Sequence, residues 1–175
     1  VVLPGSRRSE VGALMAPFGD AVRRLVEPGK PPLQIIIPTL AHVKALVIES
    51  SRTWPVKPHI IEGEDDKFRA FKLATAALAA SGTVTLELAM TGTPAVVAYK
   101  VDGLARHLRF LVKVPSIVLA NLVAGENIYP ELIQEDCNGE ALAGAVDLLL
   151  KDTPERAAQR AALAGIPARM ALDHG

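Results

Sequence analysis

Short apolar runs of strand length alternate with amphipathic stretches of helix length along most of this chain. That alternation constrains the fold more than any other feature. The clearest run is Leu33-Gln34-Ile35-Ile36-Ile37-Pro38, which follows the break Pro28-Gly29-Lys30-Pro31-Pro32 and leads into Thr39, a helix-capping residue type. Before it, Val1-Val2-Leu3 reads as a short buried strand ended by Pro4-Gly5-Ser6. Ser6 or Ser9 is expected to cap a helix reaching about residue 27, with Val11, Leu14, Met15, Phe18, Val22 and Leu25 on one face and Pro17 as a candidate kink.

The same reading continues downstream. Residues 39–51 predict a helix with Val43, Leu46 and Val47 facing inward, and residues 57–61 a third, weaker strand. Residues 64–73 predict a helix whose first turn, Glu64-Asp65-Asp66, suits the positive end of the helix dipole. Residues 74–80 are alanine-rich and favour helix by propensity, yet they stand where the alternation requires a strand, so a strand is expected. A helix over 83–91 stopped by Gly92, a strand over 94–100, an amphipathic helix over 104–114 and a strand over 116–119 follow. Helices are expected over 131–135, 139–151 and 154–171, the last with Pro154 in its first turn. Strands spaced by helices of this length predict an α/β fold, a parallel sheet with helices on both faces. A ligand site is then expected at the carboxyl ends of the strands.

Composition narrows the function classes. A chain of 175 residues fits one domain with a real core, and half of it is apolar. Nineteen basic residues balance nineteen acidic ones, which argues against nucleic-acid binding through a strong overall positive field. No apolar run reaches transmembrane length. The single cysteine, Cys137, excludes an internal disulfide framework and fits a reducing compartment. Because a buried-type strand begins at residue 1 without an initiator Met, the chain is expected to be a piece of a longer protein with an N-terminal partner domain.

Two strand-to-helix turns carry the chemistry. In Leu3-Pro4-Gly5-Ser6-Arg7-Arg8-Ser9-Glu10, glycine admits close backbone approach and serine adds a hydroxyl. The helix start favours anions, and an arginine can fork two hydrogen bonds onto phosphate oxygens. An ordinary helix cap with surface arginines is the competing reading. In the second turn, Ala80-Ser81-Gly82-Thr83 is small enough for N–H groups to meet a diphosphate, and Glu87 follows on the next helix. That offset, about one and a half turns, suits a carboxylate accepting hydrogen bonds from a ribose diol. Gly92 and Pro94 close the unit, giving Gly-x4-Glu-x4-Gly-x-Pro.

This spacing resembles the nucleotide-sugar half of glycosyltransferases built from two facing Rossmann-like domains (GT-B type), and the related sugar-nucleotide 2-epimerases. Leu3-Pro4-Gly5-Ser6-Arg7, Val96-Val97-Ala98-Tyr99-Lys100, the stretch Ser116-Ile117-Val118-Leu119-Ala120-Asn121-Leu122-Val123-Ala124-Gly125 and Pro130-Glu131-Leu132-Ile133-Gln134-Glu135-Asp136-Cys137 narrow it. In that order they resemble the lipid-A-disaccharide synthase family up to about residue 150. The resemblance implies a Rossmann-like, UDP-sugar-binding domain over residues 1–151. The alanine-rich tail over 152–175 is expected to be helical and to pack on this domain or, as the resemblance implies, on the N-terminal domain, or to exchange between copies in a homodimer.

The implied reaction joins UDP-2,3-diacylglucosamine to 2,3-diacylglucosamine 1-phosphate. It inverts the anomeric carbon, releases UDP and uses no metal or other cofactor. The implied place is the cytoplasmic side of the inner membrane of a Gram-negative bacterium, as a peripheral protein. The family's arginine after Gly-Ser falls on Arg7, its ribose-binding glutamate on Glu87 and its motif asparagine on Asn121. With the two turns, the expected substrate-binding set is Gly5, Ser6, Arg7, Ser81, Gly82, Thr83, Glu87 and Asn121. The catalytic base is implied to lie in the N-terminal domain, leaving the chain alone inactive or nearly so. The chain departs from the family in carrying Ala120 where Pro is common and Glu126 where Arg is common. A 2-epimerase fragment and a non-catalytic nucleotide-binding domain are the alternatives.

The remaining candidates read more simply. Glu131 and Glu135 are weak candidate bases, since helical carboxylates are usually solvated. His42, His59, His107 and His174 lack metal-ligand spacing. Cys137 stands among acidic residues, which disfavour a thiolate. Glu64-Asp65-Asp66 points in different directions around a helix and reads as a solvated start rather than a metal cluster. Lys100, Arg106, His107, Arg109 and Lys113, interleaved with apolar residues, suit a core-packed helix, an anionic membrane surface or the flank of an interdomain cleft.

Overall fold

The computed structural model describes residues 1–26, 28–101 and 116–172. Among these, strand and helix alternate as β1 (Val2–Leu3), α1 (Arg8–Leu25), β2 (Ile36–Pro38), α2 (Ala41–Ser50), β3 (His59–Ile61), α3 (Glu64–Leu73), β4 (Ala77–Ala80), α4 (Val84–Met90) and β5 (Ala95–Tyr99). Then come α5 (Leu119–Ala124), β6 (Glu131–Ile133), a 3-10 turn (Gln134–Asp136), α6 (Gly139–Leu150), α7 (Pro154–Ala164) and α8 (Ile166–Leu172). Every strand pair is parallel. Strands β1, β4, β5 and β6 form one ladder in that order, and β2 and β3 a second. Because β2 lies alongside β1, the strands run β3-β2-β1-β4-β5-β6 across the molecule. This is the Rossmann-like order, with its reversal between β1 and β4.

Burial explains why alanines make a strand. All four residues of β4 are buried, and each face of the sheet takes alternate side chains. Leu78, Ala80, Val96 and Ala98 meet α1, α2 and α6 in one core, through residues such as Val11, Phe18, Val43 and Leu142. Ala77, Ala79, Ala95 and Val97 meet the other layer, where Phe71, Leu88, Tyr129, Leu163 and Ile166 pack. Two-sided burial and ladder partners on both neighbouring strands outweigh alanine's preference for helix.

Helix α1 buries every apolar residue assigned to its face, and Pro17 lies within it. Neither serine caps it. Arg7 is the N-cap, with Glu10 reaching back to the turn. Leu40, not Thr39, occupies the N-cap of α2.

Three segments differ from expectation. Residues 116–119 form no strand. Ser116 Oγ accepts from the N–H of Val118 at 3.0 Å, and α5 begins at Leu119. Residues 131–135 are not helical, because Pro130 accepts from Val97 N–H at 3.0 Å and carries the chain into the ladder as β6. Tyr129 fixes that entry, its buried hydroxyl donating to Thr93 O at 2.9 Å. The expected helix over 154–171 divides at Gly165 into α7 and α8. Both pack on this domain. Gln159 holds the first residue of β5, accepting from Ala95 N–H at 2.6 Å and donating to its carbonyl at 3.2 Å. The helix expected over 104–114 lies outside the described residues.

Candidate functional site

An open cleft of about 570 Å³ lies at the carboxyl ends of β1, β2 and β4, at the reversal of strand order. Gly5, Ser6 and Arg7 of the first turn line one part of it, and Ser81, Gly82, Thr83 and Glu87 of the second line another. Thus all but one of the residues expected at the site share a single cleft, although about eighty positions separate the turns. The cleft also takes in Glu10, Thr39, Glu64 and Lys67, with Ile117 and Leu119 on the far wall.

The first turn is already occupied from within. Glu10 Oε2 accepts from the N–H groups of Ser6 and Arg7, each at 3.1 Å. Gly5 has φ +108°, and a Cβ there would stand 2.7 Å from the same oxygen. The backbone donors expected to face phosphate therefore face a carboxylate. What remains for a ligand is the Ser6 hydroxyl and the Arg7 guanidinium, the latter 79% exposed and 3.4 Å from Glu10 Oε1. His42 Nε2 lies 2.7 Å from Ser6 O and braces the turn from α2.

The second turn is open. Gly82 has φ +149° and nothing within 4 Å of where a side chain would begin. Thr85 Oγ1 donates to Gly82 O at 2.8 Å, and Ser81 Oγ to Ile117 O at 2.7 Å, so hydroxyls on both sides fix the turn. The N–H groups of Gly82 and Thr83 have no partner among the described residues. Free donors at a glycine turn in a cleft are what an oxyanion requires.

Glu87 does not stand alone. Lys67 Nζ lies 3.0 Å from Glu87 Oε2 and 2.7 Å from Glu64 Oε2, and its side chain is only 16% exposed. Burial pulls the Lys67 ammonium down, but the two carboxylates outweigh it and hold the group above its ordinary pKa. Sequence reasoning missed Lys67. The Glu64–Lys67 spacing on one helix was visible, whereas the partner on α4 is brought in only by the fold. Of the acidic triplet, Glu64 enters the cleft while Asp66 pairs outside it with Arg69 at 3.2 Å.

Asn121 stands behind the cleft wall rather than on it. It is 2% exposed, accepts from Tyr129 N–H at 2.8 Å and donates to Tyr129 O at 2.9 Å. Its amide also meets Glu131 Oε1 at 3.0 Å. That carboxylate further receives the Ser116 hydroxyl and, at 3.4 Å, the N–H of Ile117. Asn121 and Glu131 thus hold in place the segment that presents Ile117 and Leu119 to the cleft. Glu135 lies on the 3-10 turn outside it. Where the family commonly has Arg, Glu126 lies 3.5 Å from Arg169 of α8, which also bonds Ala124 O.

Cys137 is fully buried, and burial pushes its thiol pKa up despite the opposing pull of Lys100. His59 is exposed on β3. His107, His174, Arg106, Arg109 and Lys113 lie outside the described residues. Among the described residues, no three His, Cys, Asp or Glu gather where they could share a metal ion, and no helix is long and apolar enough to cross a membrane.

Known proteins with this pattern agree on one family. A family model described as lipid-A-disaccharide synthetase matches residues 1–166. A lipid-A-disaccharide synthase of Rhodopseudomonas palustris strain BisB18 is 47% identical over 171 residues, covering 97% of this chain and 43% of its own. One from Bradyrhizobium diazoefficiens is 48% identical over 165 residues, covering 94% and 42%. One from Rhodospirillum centenum is 43% identical over 159 residues, covering 90% and 39%. The chain spans about two fifths of the length of these relatives. With its fold, its cleft and this similarity along nearly its whole length, the chain belongs to the lipid-A-disaccharide synthetase family.

Proposed function

We propose that this chain is the UDP-sugar-binding half of a glycosyltransferase. The longer protein joins UDP-2,3-diacylglucosamine to 2,3-diacylglucosamine 1-phosphate, with inversion at the anomeric carbon and without a metal. The observation that carries the reading is the meeting of the two turns, with Arg7 and Glu87, on one cleft in a chain of this family.

Glycosyl transfer from a nucleotide sugar builds negative charge on the departing diphosphate, and fixed donors there lower the barrier. In this reading the N–H groups of Gly82 and Thr83 receive the diphosphate, and Arg7 adds charge from across the cleft. Glu87 accepts hydrogen bonds from the ribose diol and sets the position of the whole nucleotide. Asn121 supports the wall against which the donor rests. The base that takes the acceptor's proton belongs to the facing N-terminal domain, so this chain alone binds nucleotide without transferring sugar. The acyl chains of both substrates place the longer protein at the cytoplasmic surface of the inner membrane.

Calorimetric titration with UDP tests the reading directly. Stoichiometric binding that is lost in Glu87→Ala is the expected result. A folded protein that gives no heat at millimolar UDP overturns it.

A further inference from the structure

We propose that Lys67 sets the preference of this cleft for a ribonucleotide over its 2′-deoxy counterpart, by holding Glu87 as an oriented acceptor for both hydroxyls of the ribose. The inference rests on the assignment of Glu87 to the ribose and adds the positioning residue that makes the grip selective.

The geometry has three parts. First, Lys67 is pinned. Its ammonium spends donors on Glu64 Oε2 at 2.7 Å and Glu87 Oε2 at 3.0 Å and lies 4.9 Å from the centre of the Phe68 ring, on a side chain that is largely buried. Second, Glu87 is pinned by it. Among the described residues the Glu87 carboxylate has no other partner, so without Lys67 nothing would fix its rotamer. Third, the pinned group keeps spare capacity. A carboxylate offers about four lone-pair directions, and Lys67 uses one, leaving room for two hydroxyl donors.

A diol supplies two donors and a 2′-deoxyribose only one. A carboxylate held in one orientation converts that difference into affinity, whereas a swinging one loses it to ordering. The two acids and one ammonium also leave this end of the cleft with one net negative charge. That charge turns a diphosphate away, toward Gly82 and Arg7, so the same cluster sets which end of the nucleotide lies here. The ammonium stays charged throughout the neutral range, because its two carboxylates outweigh the effect of burial.

The test compares UDP with 2′-deoxy-UDP by calorimetric titration of the full-length protein. The wild type is expected to prefer UDP by about tenfold or more, the scale of one hydrogen bond to a charged acceptor. Lys67→Met is expected to bring the ratio to within about twofold, chiefly by weakening UDP, and Lys67→Arg to keep the preference. Where Lys67→Met does not fold, Lys67→Gln is read instead, with the same loss of preference expected. A substituted protein that keeps the wild-type ratio, or weakens both nucleotides equally, overturns the inference while leaving UDP binding itself intact. A wild type that binds both alike overturns it as well. A folded wild type that binds neither overturns the UDP reading along with it.

Discussion

Asn121 holds Tyr129 by both of its backbone groups, accepting from the N–H at 2.8 Å and donating to the carbonyl at 2.9 Å. Both residues are buried, so an Ala at 121 strands a donor and an acceptor where water does not reach. Asn121→Ala is expected to cost about 2–4 kcal/mol of stability, one to two unsatisfied buried groups. Asn121→Asp is expected to cost more, since it sets a second carboxylate against Glu131 Oε1, which the Asn121 amide meets at 3.0 Å. Urea unfolding measures both.

Glu10 closes the first turn from inside, and its two effects are separable. Glu10→Gln removes a negative charge from the cleft while keeping an oxygen for the N–H groups of Ser6 and Arg7. It is expected to tighten UDP binding a few-fold at nearly unchanged stability. Glu10→Ala also removes the cap, at about 1 kcal/mol. Titration and urea unfolding on both variants separate the charge from the cap.

Gly82 and Gly5 both require a positive φ, yet only Gly5 is crowded. Gly82→Ala is expected to lose about 1–3 kcal/mol through backbone strain alone, and to lose UDP binding as the turn shifts its free N–H groups. Gly5→Ala adds the close approach to Glu10 and is expected to be the less stable of the two. Thermal melts and titrations of the pair check the order.

Alkaline pH should expose Lys67 and Tyr129. Both have folded pKa values raised above their ordinary 10.5 and 10.0, Lys67 by its carboxylates against the pull of burial, Tyr129 by burial. For each, the folded state holds its proton more tightly than the unfolded chain. Their contributions are therefore complete below about pH 10 and decline as pH rises through the folded values. Urea midpoints are expected to hold level from pH 9 to about pH 10 and to fall from there to about pH 11. Lys67→Met should start lower at pH 9 and fall less steeply.

What the sequence made legible depended on the range of the interactions. The helix Glu64–Leu73 was legible to the residue, because its acidic start and apolar face are local. Strand β4 was legible only from the alternation around it, since four buried alanines look helical in isolation. The segments at 116–119 and 131–135 were misread for a common reason. Ile117-Val118 favours a strand by type, and Glu131–Glu135 a helix, but Asn121, Tyr129 and Glu131 decide both through contacts across the loop. Both turns of the cleft were visible as glycine-bearing punctuation. Glu10 three residues past the N-cap was an available signal for an internal cap. The Lys67–Glu87 pair had none, being twenty positions apart on different helices.

The last two helices belong to the core as much as the strands do. Removing residues 152–175 would uncover Leu163 and Ile166's contacts and leave Ala95 N–H and C=O without Gln159. A chain ended at residue 151 is expected to be several kcal/mol less stable and to bind a hydrophobic dye. Gln159→Ala alone is expected to cost about 2–4 kcal/mol, read by urea unfolding.

The methyl groups of Ala77, Ala79 and Ala80 keep the centre of the molecule thin, letting helices on either side lie close to β4 just before the chain turns at Gly82. Thickening that strand would push a helical layer outward and carry the adjoining loop with it. The dimensions of the opening are therefore tied to the smallest side chains beneath it, and variation at these three positions should be confined to residues no larger than serine.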